Sequence, residues 1–111
     1  MPVVFNAIGN LERLREKSVA IVGARQCSEY GRHVARELAK NIAGNNVNVV
    51  SGLAIGIDSE AHIGAGRNTI AVLGSGINVI YPKENVGLAK EIVRRGGVII
   101  SEYPIGENQK D

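Results

Sequence analysis

Apolar residues fall along this chain in four short runs that do not alternate, and stretches of helical period separate them. The runs are Val19-Ala20-Ile21-Val22, Val47 to Val50, Ile70-Ala71-Val72-Leu73 and Val98-Ile99-Ile100. Near-continuous apolarity over such lengths predicts strands covered on both faces, as in a parallel sheet. Between the first two runs, Val34, Ala35, Leu38, Ala39, Ile42 and Ala43 recur at i, i+1, i+4, i+5, i+8 and i+9. That spacing predicts a helix from Tyr30 to Ala43 with a broad core-facing stripe. Ser28 is placed to cap its start, and Gly44-Asn45-Asn46 to end it. Ile57 to Ala65 predicts a second, shorter helix. Pro82-Lys83-Glu84-Asn85 opens a third, whose buried stripe is Leu88, Ala89, Ile92 and Val93 and which Gly96-Gly97 stops. Residues 1–17 read as an extended lead-in followed by one charged turn, Leu11 to Arg15, with Asn10 as N-cap.

The resulting order, βαβαβαβ, joins the strands by connections too long for hairpins. Such connections impose parallel pairing and right-handed crossovers. The predicted fold is therefore α/β: a doubly wound, Rossmann-like, mainly parallel sheet of at least four strands in a single domain spanning 1–111. Every strand then ends at one rim, where open sheets of this kind bind ligands. Gly23, Ala24 and Arg25 lie there, with Ser51 and Gly52, Gly74 and Gly76, and Ser101 and Glu102.

The chemistry of that rim favours anions. Glycine brings the backbone close to a ligand, and the helix that follows presents free N–H groups and a positive dipole end. The alternative is that the glycines only shape tight strand-to-helix turns. Arg25 stands two residues past a core strand, as an anion-binding cation or as a surface partner of Glu29 or Glu102. Lys83 sits at a helix start, where the dipole disfavours a cation; that position suits a functional need, or a solvated lysine. Asp58 and His62 share a helix face at i, i+4, as an acid/base pair or as a capping carboxylate and a packed histidine. Arg32, Arg36 and Lys40 repeat every four residues, as a solvated face or as a phosphate track. No dinucleotide G-x-G-x-x-G follows the first strand, no Walker A lysine motif occurs, and no metal-ligand spacing is present.

Composition narrows the classes. The chain is 44% hydrophobic and 22% charged, which is globular rather than disordered. A net charge of +2 permits a polyanion partner without demanding one, so a local basic patch has to supply the attraction. One cysteine, Cys27, excludes an internal disulfide and, with no signal-type apolar region, points to the cytoplasm. No apolar run approaches the length of a membrane span.

Five segments in combination resemble the DprA/Smf DNA-processing family: Val19-Ala20-Ile21-Val22-Gly23-Ala24-Arg25; Ser51-Gly52-Leu53-Ala54 with Gly56-Ile57-Asp58 and Ala61-His62; Ile70-Ala71-Val72-Leu73-Gly74-Ser75-Gly76; Tyr81-Pro82-Lys83-Glu84-Asn85; and Ser101-Glu102-Tyr103-Pro104. The resemblance runs from about Pro2 to about Gly106. It implies a non-catalytic, cofactor-free binder of single-stranded DNA that protects incoming strands in natural transformation and loads the RecA recombinase onto them. Arg25 matches the family's G-S/A-R arginine and Lys83 its Y-P-K lysine, both DNA contacts in that family. Taken with the rim residues of the matching segments, the expected nucleic-acid-binding set is Gly23, Ala24, Arg25, Ser51, Gly52, Gly74, Gly76, Lys83 and Asn85. The chain departs from the family in two ways. The segment from Ile63 to Asn68 is about three residues shorter, which predicts a stunted second helix. The family's F-P-x-R-N-R-I-I-type continuation is also absent, so the chain reads as the N-terminal half of the family domain. Its fourth strand is then expected at or near an open edge, prone to self-association. The rival reading is a nucleotide-binding sensor or phosphoribohydrolase-like enzyme on a related sheet, whose G-G-G-x-G-T-x-x-E signature is not found here.

Overall fold

The computed structural model describes residues 6–74 and 82–101. Its elements are β1 (Asn6–Gly9), a 3-10 turn (Leu11–Arg15), β2 (Ser18–Ala20), α1 (Glu29–Gly44), β3 (Asn48–Ser51), α2 (Ile57–Ala65), β4 (Thr69–Val72), a 3-10 turn (Lys83–Asn85), α3 (Val86–Arg94) and β5 (Val98–Ser101). The sheet runs β1-β5-β4-β3-β2. β2, β3, β4 and β5 pair in parallel, and β1 closes the sheet antiparallel to β5. The α/β, mainly parallel, Rossmann-like architecture is the one the hydrophobic pattern predicts. β1 is an addition, in a stretch read as extended lead-in.

The three helices share one face of the sheet. Val49 stands opposite Thr69, Ser51 opposite Ala71, and Ala71 opposite Ile99, so these side chains point the same way. Val49 packs with Ala39 and Ala43 of α1 and with Ala61 and Ala65 of α2. Ala71 and Ile99 pack with Ala89 and Ile92 of α3, together with Leu53 and Leu73. Strand order explains this: each right-handed crossover steps to the next strand in the same direction and so returns on the same side. Among the described residues, the chain carries one winding of the expected double layer. The opposite face is covered at the strands' amino ends by the lead-in. There the buried Asn48 donates from Nδ2 to the Arg13 carbonyl and to Glu16 Oε1, both at 2.9 Å. Arg13 in turn donates from Nε to the Gly96 carbonyl at 3.0 Å.

One expectation fails here. The pattern places Val19–Val22 in the core, yet Val19 is 45% and Val22 71% exposed. The fourth strand, expected at or near an open edge, lies one place in from it, as β5 between β1 and β4. Among the described residues the bare parallel edge is β2, which has a partner on one side only. An apolar run reports that a strand suits a two-sided environment; it does not say which strand ends up at the edge.

The α1–α2 contact is unusually close because small residues line it. A Cβ on Gly64 would collide with the Arg36 carbonyl, so α2 crosses α1 at backbone distance. The core stripe of α1 is accordingly Ala35, Ala39 and Ala43, while Val34 and Leu38 stay exposed. α2, at nine residues, matches the predicted span.

His62 shows how this layer is locked. The ring is 1% exposed. Thr69 Oγ1 donates its only hydrogen to the Val49 carbonyl at 2.9 Å. The 2.7 Å contact between His62 Nδ1 and Thr69 Oγ1 therefore has Nδ1–H as donor, which leaves Nε2 bare. Burial lowers the His62 pKa from 6.5 to about 4, against an opposing pull from the Asp58 charge. An imidazole of this kind binds more protons unfolded than folded, so its stabilisation is complete above the unfolded value and is lost as pH falls. Stability should drop by about 3 kcal/mol between pH 6.5 and pH 4 from this group alone. Urea midpoints over that range, compared with His62→Asn, should show a step in the parent that is missing in the variant.

Candidate functional site

The carboxyl ends of β2, β3 and β4 meet at one rim, and a single loop holds its centre. That loop, residues 52–56, joins β3 to α2. Leu53 within it has φ of +64°, a left-handed conformation that a branched side chain adopts at a cost, and its side chain is fully buried. Gly56 has φ of +94° and lies so close to the Ala24 and Arg25 carbonyls that a Cβ would overlap both. Glycine is required there on both counts. Ile57 N donates to the Ala24 carbonyl at 3.3 Å, which closes the loop after β2 onto the start of α2.

Asp58, in the first turn of α2, completes the clamp. Its Oδ1 accepts from Gly23 N at 3.3 Å and its Oδ2 from Gly52 N at 3.0 Å. One buried carboxylate thus joins the loops after β2 and β3, at a helix end whose dipole stabilises negative charge. The sequence offers Asp58 and His62 as an acid/base pair or as structural groups. The geometry makes them structural: the carboxylate is committed to backbone N–H groups and the ring to Thr69.

On the far side of the loop stands the 3-10 turn, Lys83–Asn85. Asn85 is buried and donates from Nδ2 to the Leu53 carbonyl at 2.7 Å and to Ser59 Oγ at 2.9 Å. Arg25, whose carbonyl abuts Gly56, and Lys83, two residues before Asn85, therefore both lie in segments held against this loop. Both are exposed, and neither makes an ion pair among the described residues. The alternative pairing of Arg25 with Glu29 is not formed.

The other expected rim residues take different parts. Ser51 donates from Oγ to the Ile21 carbonyl at 2.5 Å and ties β3 to the end of β2. Gly23 and Gly52 give their N–H groups to Asp58, so these donors do not face outward for a ligand. Ala24 contributes its carbonyl to α2. Asn85 is a positioning residue for the loop rather than an open contact. Gly74 is half-buried at the end of the described part of the β4 loop, and Gly76, like Glu102, lies outside the described residues. The Gly23 and Gly52 amides are thus engaged within the protein. Within the Arg32, Arg36 and Lys40 series, Arg36 is bound to Glu60 Oε1 through Nη2 at 2.6 Å and Nε at 2.8 Å. Among the described residues no group of His, Cys, Asp and Glu is arranged to hold a metal, and no helix is long and apolar enough to cross a membrane.

Comparison with known proteins agrees with this architecture. The family model described as DNA recombination-mediator protein A matches residues 1–111. DNA processing protein DprA of Streptococcus pneumoniae is 43% identical over 111 residues, covering 96% of this chain and 38% of that protein. Protein Smf of Escherichia coli is 39% identical over 100 residues, covering 87% of this chain and 27% of that protein. The chain thus spans about a third of the length of these relatives. DNA processing protein A from Helicobacter pylori, solved for its single-stranded DNA binding mode, superposes with a TM-score of 0.92 at 30% identity, covering 96% of this chain and 50% of that one. The S. pneumoniae protein superposes with a TM-score of 0.87 at 39% identity.

The Asp58 clamp makes a direct prediction. Asp58→Ala removes the acceptor of two buried-side amide bonds and should cost about 3 kcal/mol. Asp58→Asn keeps one acceptor oxygen and should cost about half of that. Urea unfolding of the three proteins should rank them parent, Asn, Ala.

Proposed function

The chain belongs to the DNA recombination-mediator protein A family, and from that membership we propose that it binds single-stranded DNA without chemical turnover, holding the phosphate backbone on Arg25 and Lys83. The observation that carries this reading is that Arg25 and Lys83, exposed and without an ion pair among the described residues, both lie in segments packed against the 52–56 loop. Arg25 offers a planar fork for two phosphate oxygens, and Lys83 a mobile point charge. Neither is expected to read base edges, so binding should be indifferent to sequence.

Structural work accounts for the ionisable groups that sequence offered as catalysts, which supports a binding role over a hydrolytic one. In the cell we propose the role its family resemblance implies: a cytoplasmic protein that shields incoming strands during natural transformation and passes them to RecA. The exposed edge of β2 adds a route to self-association, of the chain with itself or with further sheet.

The test is a salt titration with labelled oligo(dT), read by fluorescence anisotropy. Arg25→Ala and Lys83→Ala should each weaken binding to all sequences by a similar factor. Each should flatten the log–log salt slope by roughly 0.7, the value for one lost single-strand phosphate contact. Arg25→Lys should restore binding only in part. Unchanged slopes in both alanine variants would overturn the assignment. Equal competition by mononucleotides would favour a nucleotide sensor instead.

A further inference from the structure

Resting on that reading, we infer that the bound strand continues from the rim into the groove between the first turns of α1 and α2, where Arg32 holds a further phosphate. The groove is lined by Glu29, Arg32, His33, Arg36 and Glu60, with a volume of about 260 Å³. It adjoins the rim directly. Gly56, which abuts the Arg25 carbonyl, is the residue before α2, and Ser28, which caps α1, is three residues past Arg25.

Arg32 is the unexplained group in it. Its Nε is buried with no hydrogen-bond partner among the described residues. Burying a guanidinium donor without an acceptor is unfavourable, and two carboxylates line the same groove. Neither takes it. Glu60 is held by Arg36 through two short hydrogen bonds to one oxygen, and Glu29 makes no ion pair with Arg32. Arg32 also sits in the first turns of α1, its N–H bonded to the Ser28 carbonyl at 3.0 Å, where the helix dipole disfavours a cation that has no counter-anion. Charge and geometry both call for an anion from outside. A phosphodiester arriving from Arg25 fits, because Arg36 and Glu60 offset each other and Arg32, which Glu29 does not engage, is left with its Nε donor unused.

Strand length separates this contact from those at the rim. Oligo(dT) of about four nucleotides should reach the rim alone, and one of about sixteen should reach both. Arg32→Ala should weaken the longer oligonucleotide about tenfold at low salt. It should also lower that oligonucleotide's salt slope by roughly 0.7 and leave the shorter one and the Tm as in the parent. Arg32→Lys should retain the slope and lose part of the affinity. Arg25→Ala should weaken both lengths. An unchanged slope for Arg32→Ala on the long strand, beside a lowered one for Arg25→Ala, would sink the groove contact and leave the rim standing. Unchanged slopes for Arg25→Ala and Lys83→Ala would sink the rim reading itself. A fall in Tm with unchanged binding would make Arg32 a structural residue. Inorganic phosphate that perturbs the His33 and Arg32 NMR signals without competing against the long strand would make the groove a small-anion site and overturn the strand path.

Discussion

One carboxylate organises the functional end of this molecule. Asp58 accepts from Gly23 N and Gly52 N, and these amides belong to loops that leave different strands. A backbone N–H that leaves a strand at the sheet's end needs a partner, and water or a ligand is the usual one. Here the protein supplies it from the first turn of α2. The consequence is twofold. The loops after β2 and β3 become one rigid unit, and the anion-seeking character expected of their glycines is internally satisfied. Arg25 and Lys83, both exposed, lie outside this clamp.

The helical layer makes the clamp possible. Only small side chains at the α1–α2 crossing let α2 lie close enough for Asp58 to reach both amides, and Gly64 against the Arg36 carbonyl marks the tightest point. His62, on the face of α2 that meets the sheet, anchors the same helix to β4 through Thr69, and Thr69 is itself tied to β3 through the Val49 carbonyl. Asn85 holds the loop from the other side. Asp58, Thr69 and Asn85, buried in this region, form a set in which each is satisfied by partners from other elements; among the described residues, His62 Nε2 and Arg32 Nε are the buried atoms left without one. Such sets specify a unique arrangement at the risk of a large penalty when one member is removed.

Placing all three described helices on one face has a further effect. Their amino ends, which follow strands, collect at the rim together with the loops, so cations in their first turns share one surface with Arg25 and Lys83. The opposite face is partly covered, at the amino ends of the strands, by the 3-10 turn of the lead-in. Toward the carboxyl ends, Val22 and Val72 remain exposed. Among the described residues β2, with one partner, ends the sheet.

Sequence by itself determined whatever depends on neighbours along the chain. The four parallel strands, the span of α2, the Ser28 cap, the Asn10 cap and the rim position of Arg25 and Lys83 all follow from local period, capping chemistry and the strand-to-helix order. Tertiary structure decided what depends on partners distant in the chain. β1 is too short and too weakly patterned to declare itself, and it becomes a strand because β5 offers it a ladder. Val19 and Val22 are apolar, yet they are exposed because β2 falls at the edge. Gly23 and Gly52 look free in sequence, and they are not, because an acceptor 35 residues beyond Gly23 folds back onto both. Hydrogen-bond partnership across such separations leaves no local signal. Which donors a protein keeps for itself and which it leaves for a ligand is therefore settled only when the elements pack.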